Sequence, residues 1–129
     1  MPIASYFKRD KVQVIEQGVT TLYCKLVVGA TGAVTSFAGY GISNLVRNAA
    51  GNYTITLDRK FKKLLNLNDT LIQATPQGLN ATVENNNVAS AGTIVLEFNT
   101  SAGVATELSS GTIALFAITV GDTSLSGGV

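Results

Sequence analysis

Gly41-Ile42-Ser43-Asn44-Leu45-Val46-Arg47-Asn48-Ala49-Ala50-Gly51-Asn52-Tyr53-Thr54-Ile55-Thr56-Leu57-Asp58 is the stretch around which the chain has to be fitted. It reads as two β-strands joined by a short glycine-containing turn, because both arms are rich in the β-branched and aromatic residues that suit a pleated surface. In the second arm Tyr53, Ile55 and Leu57 point one way and Asn52, Thr54, Thr56 and Asp58 the other, so one face is core and one is wet. The first arm is less decided: Ile42, Asn44 and Val46 share a face opposite Ser43, Leu45 and Arg47, and either side is a candidate for burial. The turn Asn48 to Gly51 suits a type I turn closing in a glycine bulge. After it, Phe61, Leu64 and Leu65 in Arg59-Lys60-Phe61-Lys62-Lys63-Leu64-Leu65 fall at i, i+3 and i+4. That spacing predicts a short helix capped by Asp58 and laid on the sheet edge.

Outward from this hairpin, the same alternation marks further strands. Val19 to Val28 places Leu22, Cys24, Leu26 and Val28 toward a core and Thr21, Tyr23 and Lys25 away from it. Gly29 to Gly32 is a turn, Ala33 to Phe37 a returning strand, and Gly39-Tyr40-Gly41 a corner where the chain passes between sheets. Val12 to Glu16, Thr70 to Thr75, Leu79 to Glu84, Thr93 to Asn99 and Thr112 to Val120 are the remaining strands, with Asn66 to Asp69 a loop and Val104 to Leu108 an unsettled partner. About eight to ten short strands with turn signals roughly every 8–12 residues predict an all-β, antiparallel β-sandwich of jelly-roll or Greek-key type. The expected domain spans 12–120, preceded by an arm at 1–11 and followed by a glycine-rich tail at 121–129.

Composition narrows the chemistry. A chain of 129 residues, 46% hydrophobic and 13% charged, buries a core without disulfides or metal. There is no histidine, which removes Ser-His-Asp and Cys-His triads and His-based metal sites, and a single cysteine excludes disulfides and iron–sulfur clusters. Cys24 reads as a small core hydrophobe. Glu97 and Glu107, the nearest carboxylate pair, read as solvated charges rather than an acid/base couple, and Asp10, Asp58, Asp69 and Asp122 lack the D-x-D-x-D-G spacing of a calcium loop. No glycine motif cradles phosphate. No enzyme, metal or cofactor is expected. The longest apolar run, Ile113 to Ile118, is far short of the ~20 residues that cross a bilayer, and residues 1–10 lack the order of a signal peptide; no membrane partner and folding in a cytoplasm are expected.

Charge is unevenly placed. All nine basic residues lie at or before position 63, opposed there only by Asp10, Glu16 and Asp58, while the other five acids all follow. Two readings stand: the halves cancel across neighbouring strands, or the basic half meets an acidic partner. The basic clusters lack interleaved aromatics, which disfavours nucleic acid. The candidate partner-binding residues are therefore Tyr6, Phe7, Lys8, Arg9 and Lys11 on the arm and Arg59, Lys60, Lys62 and Lys63 after the hairpin.

The hairpin, the segment Arg59 to Leu65 and the strand Gly111-Thr112-Ile113-Ala114-Leu115-Phe116-Ala117-Ile118 together resemble small structural proteins of tailed-phage virions: capsid decoration or cement proteins and related head-fibre and collar modules. The resemblance covers half of the chain and carries over no binding residue. It implies a non-enzymatic protein, often a homotrimer, that binds the major capsid protein and copies of itself on the outer shell after synthesis in the host cytoplasm. The competing expectation is a carbohydrate- or host-surface-binding sandwich of a tail or fibre, for which Tyr6, Phe7 and Tyr40 are the aromatics free to be exposed.

Overall fold

Every second residue of Leu22, Cys24, Leu26 and Val28 is buried, as the alternation requires, and the strand that carries them is the first of eight in a computed structural model that describes residues 18–122. The strands are β1 (Val19–Val28), β2 (Val34–Gly39), β3 (Ile42–Ala49), β4 (Asn52–Leu57), β5 (Lys63–Ile72), β6 (Asn80–Asn87), β7 (Thr93–Asn99) and β8 (Ile113–Gly121). They form two antiparallel four-stranded sheets, ordered β2-β1-β8-β5 and β3-β4-β7-β6. The inner faces meet in one apolar core, so the chain is an all-β sandwich. A jelly roll would carry most consecutive strands into opposite sheets. Here β1–β2, β3–β4 and β6–β7 stay within one sheet as hairpins, and closure comes from the distant pairs β1–β8 and β4–β7. The arm at 1–11 and the expected strand Val12 to Glu16 lie outside the described residues.

The central hairpin forms where expected, with Tyr53, Ile55 and Leu57 buried on β4. Its undecided arm is settled by a bulge. Ile42 pairs with Leu57 and Asn44 with Thr56, so Ser43 is the extra residue and Ile42 and Leu45 both face inward although three positions apart. The Ser43 hydroxyl sits 3.3 Å from the carbonyls of both Thr56 and Leu57. At the tip Gly51 supplies the positive φ of 68°. A Cβ there would stand 2.4 Å from the Thr106 carbonyl oxygen, so the position requires glycine twice over. Tyr40 and Gly41 make the expected corner between sheets, held by Tyr40 N–H to the Tyr23 carbonyl (3.1 Å) and Asp58 N–H to the Gly41 carbonyl (2.8 Å).

The helix expected after the hairpin is not there. Phe61 is buried and donates its N–H to the Val88 carbonyl (2.9 Å). From Lys63 the chain is already β5, pairing with β8 through Ile72 and absorbing the expected loop 66–69 and the first half of the expected strand 70–75. The cause is a second bulge: Leu64 pairs with Val120 and Asn66 with Thr119, leaving Leu65 unpaired. One inserted residue puts Leu64 and Leu67 on the same inner side and makes a strand look helical in sequence. The helical element among the described residues is instead a 3-10 turn at Ala30–Gly32, within the expected Gly29–Gly32 turn. The tail also begins later than expected, since Gly121 closes β8 and Asp122 N–H donates to the Gly18 carbonyl (2.8 Å).

Irregularity is distributed by position in the sheet. The ladders joining the central strands, β1–β8 and β4–β7, run without a register shift, whereas every ladder to an edge strand carries one. In the core, Tyr53 meets Phe98 edge-on at 6.0 Å and Phe98 meets Phe116 at 6.2 Å, joining the two sheets. The Tyr53 hydroxyl donates to the Gly32 carbonyl (2.7 Å), crossing from one sheet to the β1–β2 connection of the other. Two substitutions separate packing from this bond. Phe98→Ala is expected to lower unfolding free energy in urea by about 3–5 kcal/mol, and Tyr53→Phe by about 1–3 kcal/mol through the unpaired carbonyl. A Tyr53→Phe protein as stable as the parent would show that the bond contributes nothing net.

Candidate functional site

Four of the nine basic candidates fall on described residues, and the β4–β5 crossover brings them to one corner. Arg59 is committed internally: its guanidinium forks onto the Asp122 carboxylate (3.1 and 3.0 Å) and stacks 4.2 Å over the Phe61 ring. The hydrogen bond to Arg59, with the nearby charge of Lys62, holds the Asp122 carboxyl below its ordinary range. Lys60 and Lys62 stay exposed, and Lys63 opens β5 opposite Gly121. Gly18 stands at the same corner, since Val19 and Lys63 both pair with Gly121. The chain therefore enters the fold beside its second basic cluster. Tyr6, Phe7, Lys8, Arg9 and Lys11 lie outside the described residues.

The opposite end of the sandwich is closed by a second ion pair. Arg47 donates from Nε (2.9 Å) and Nη2 to the two oxygens of Glu107. That bond lowers the Glu107 carboxyl, helped by the Gly51 N–H, and raises Arg47 further. Beside it, burial and the Glu107 charge push the Tyr53 phenol up to about 12, which keeps it a donor to Gly32. Next to this pair the Gln73 and Gln77 amides tie the β5–β6 connection to Thr112 (3.1 Å) and to the Glu107 carbonyl (3.0 Å). Both ion pairs join a base from the first half of the sequence to an acid from the second. Part of the charge asymmetry thus cancels within the fold.

No known protein family, curated protein or solved structure matches this chain. Its chemistry has to be judged from the side chains alone. Glu97, on the outer side of β7 beside Asn99, is not coupled to Glu107. Asp58, Asp69 and Asp122 occupy separate places, and no group of three or more His, Cys, Asp or Glu among the described residues is placed to hold a metal ion; Asp10 lies outside them. Cys24 is buried on β1, and desolvation pushes its thiol up to about 11, away from nucleophilic use. Asp69 is half-buried on the edge strand β5, and desolvation raises its carboxyl.

The feature that sequence reading did not assemble is the contrast between the two outer faces. Outside β4 and its neighbours lie amides, hydroxyls and carboxylates bonded to one another: Asn48 to Asn52 (2.8 Å) and Thr54 (2.7 Å), and Asn52 to Glu84 (2.9 Å). Outside β1 and β8 the face is apolar, with Tyr23 64% exposed and Leu115 39% exposed. Tyr40 stands at its rim, 89% exposed. The outward position of Tyr23 was legible in the alternation of β1, but its nearness to Leu115 depends on a pairing across more than ninety residues of sequence.

Acid unfolding tests the Arg47–Glu107 pair. A carboxyl lowered in the folded state stabilises above its unfolded value near 4.5 and loses that contribution as pH falls through the folded value. Glu107→Gln is therefore expected to be less stable than the parent at pH 7, with the gap closing below pH about 4. Parallel stability curves from pH 7 to pH 2 would contradict this.

Proposed function

We propose that this chain is a virion structural protein of a tailed phage, a capsid decoration protein that binds the outer shell and stabilises it through contacts with capsomers and with copies of itself. The reading rests on the sequence resemblance. The observation that carries it in the fold is the cationic corner where Lys60 and Lys62 are exposed beside the point at which residues 1–17 join the sandwich. Two basic segments far apart in sequence there become one contiguous end able to meet an acidic surface. Ion-paired ends and a continuous core fit a protein whose task is to withstand load rather than to open around a substrate.

A second reading, a glycan-binding sandwich, is favoured by one observation, the exposed Tyr40 and Tyr23 at the edge of the apolar face. Sugars stack on such rings, although the chain has no tryptophan.

The test is co-sedimentation of the full-length protein with tailed-phage capsids stripped of accessory proteins, beside a glycan array. Saturable binding to capsids, weakened about tenfold or more by Lys60→Glu with Lys62→Glu and by removal of residues 1–11, and falling with added salt, is the expected result. Absence of capsid binding, with an array signal lost in Tyr40→Ala, would replace the shell reading by the glycan one.

A further inference from the structure

We infer that the outer face of the β2-β1-β8-β5 sheet packs against the same face of a second copy of this chain. Three rows run across β1, β8 and β5 on that face: Tyr23, Ala117 and Asn68; Lys25, Leu115 and Thr70; Val27, Ile113 and Ile72. Ala38 of β2 extends the middle row. Lys25 is the one charged side chain within these rows, Lys63 stands at the rim, and no carboxylate is present. The other outer face differs in kind, because its amides and its carboxylate already satisfy one another.

The occupant follows from area, charge and edges. Four strands about 4.8 Å apart and a nine-residue β8 give a face of roughly 19 by 30 Å in plan. Its corrugated surface approaches the about 800 Å² per partner that a standard interface buries. Strand-to-strand addition is disfavoured, since every edge strand is bulged. Face-to-face packing is left, as between the sheets of a sandwich.

A two-fold axis along β8 fits the pattern of side chains. It exchanges β1 and β5, so Lys25 of each copy meets the Thr70 hydroxyl of the other and Val27 meets Ile72, while Leu115 and Ile113 stack on their own mates. The two lysines are kept apart and each finds an acceptor. A flat self-complementary face closes at two copies, whereas the resemblance to decoration proteins implies three.

Sedimentation equilibrium of the purified full-length protein, without capsids, tests this independently of the shell reading. The expected mass is twice the 13.4 kDa chain. Leu115→Lys and Tyr23→Lys, both at exposed positions, should halve it with thermal unfolding unchanged, and Val46→Lys on the other sheet should leave it a dimer. Thr70→Asp, which sets a carboxylate against the partner's Lys25, should lower the dissociation constant several-fold at low salt. A monomeric parent would overturn the inference, leaving the face to residues 1–17 or to an unrelated protein. A trimeric parent, a dimer indifferent to Leu115→Lys, or a Thr70→Asp dimer no tighter than the parent would overturn it equally.

Discussion

The hydroxyl of Tyr53 lies where the sandwich has to be tied together and backbone ladders cannot reach. Each sheet satisfies its own N–H and C=O groups internally, so registration between the sheets depends on side chains alone. Tyr53 is fully buried on β4, packs edge-on against Phe98, and bonds the Gly32 carbonyl at the β1–β2 connection. Gly32 is held to glycine by a φ of 72° and by the Glu107 carboxylate, which a Cβ would strike. Glu107 in turn is gripped by Arg47, the residue paired with Tyr53 across the hairpin. One cluster thus couples the core, the tight turn and the ion pair, and no member is free to move without the others.

That coupling explains why charge that looks like a partner signal in sequence is partly structural. Arg47 and Arg59 are the residues whose planar forks suit bidentate carboxylates, and both are used inside the fold, one at each end. Exposed pairs of this kind contribute little each; their value here is positional, fixing the segment after β7 and the end of β8. Lys60 and Lys62, with single-point charges and flexible stems, stay outside. The division between arginines that lock and lysines that face solvent follows from side-chain chemistry and was not visible in a count of charges.

Alternation was readable wherever a strand is regular. The buried sets of β1, β4 and β7 stand in the sequence as they stand in the fold, because these are central strands with unbroken ladders. Reading failed at Ser43 and Leu65, where one extra residue shifts the phase of everything downstream. Leu64, Leu65 and Phe61 then imitate a helix, and only the pairing with β8 reveals the strand. The basic corner was half legible: the clusters are plain in sequence, but that Gly18 and Lys63 meet at Gly121 depends on β8 lying between β1 and β5. The apolar face was hidden for the same reason.

Bulges also decide how such a molecule can associate. A sandwich with straight edges offers rows of unpaired N–H and C=O groups and polymerises by adding strands. Here the irregularities fall on β2, β3, β5 and β6, the four edges, while β1–β8 and β4–β7 remain straight. The twist added at each edge spoils the template for another chain. Straight central strands, meanwhile, keep the outer faces flat enough for side chains to meet in rows. One of those faces is saturated with its own hydrogen bonds and the other is apolar, so the same distribution of irregularity that closes the edges leaves a single broad surface with something to gain from being covered.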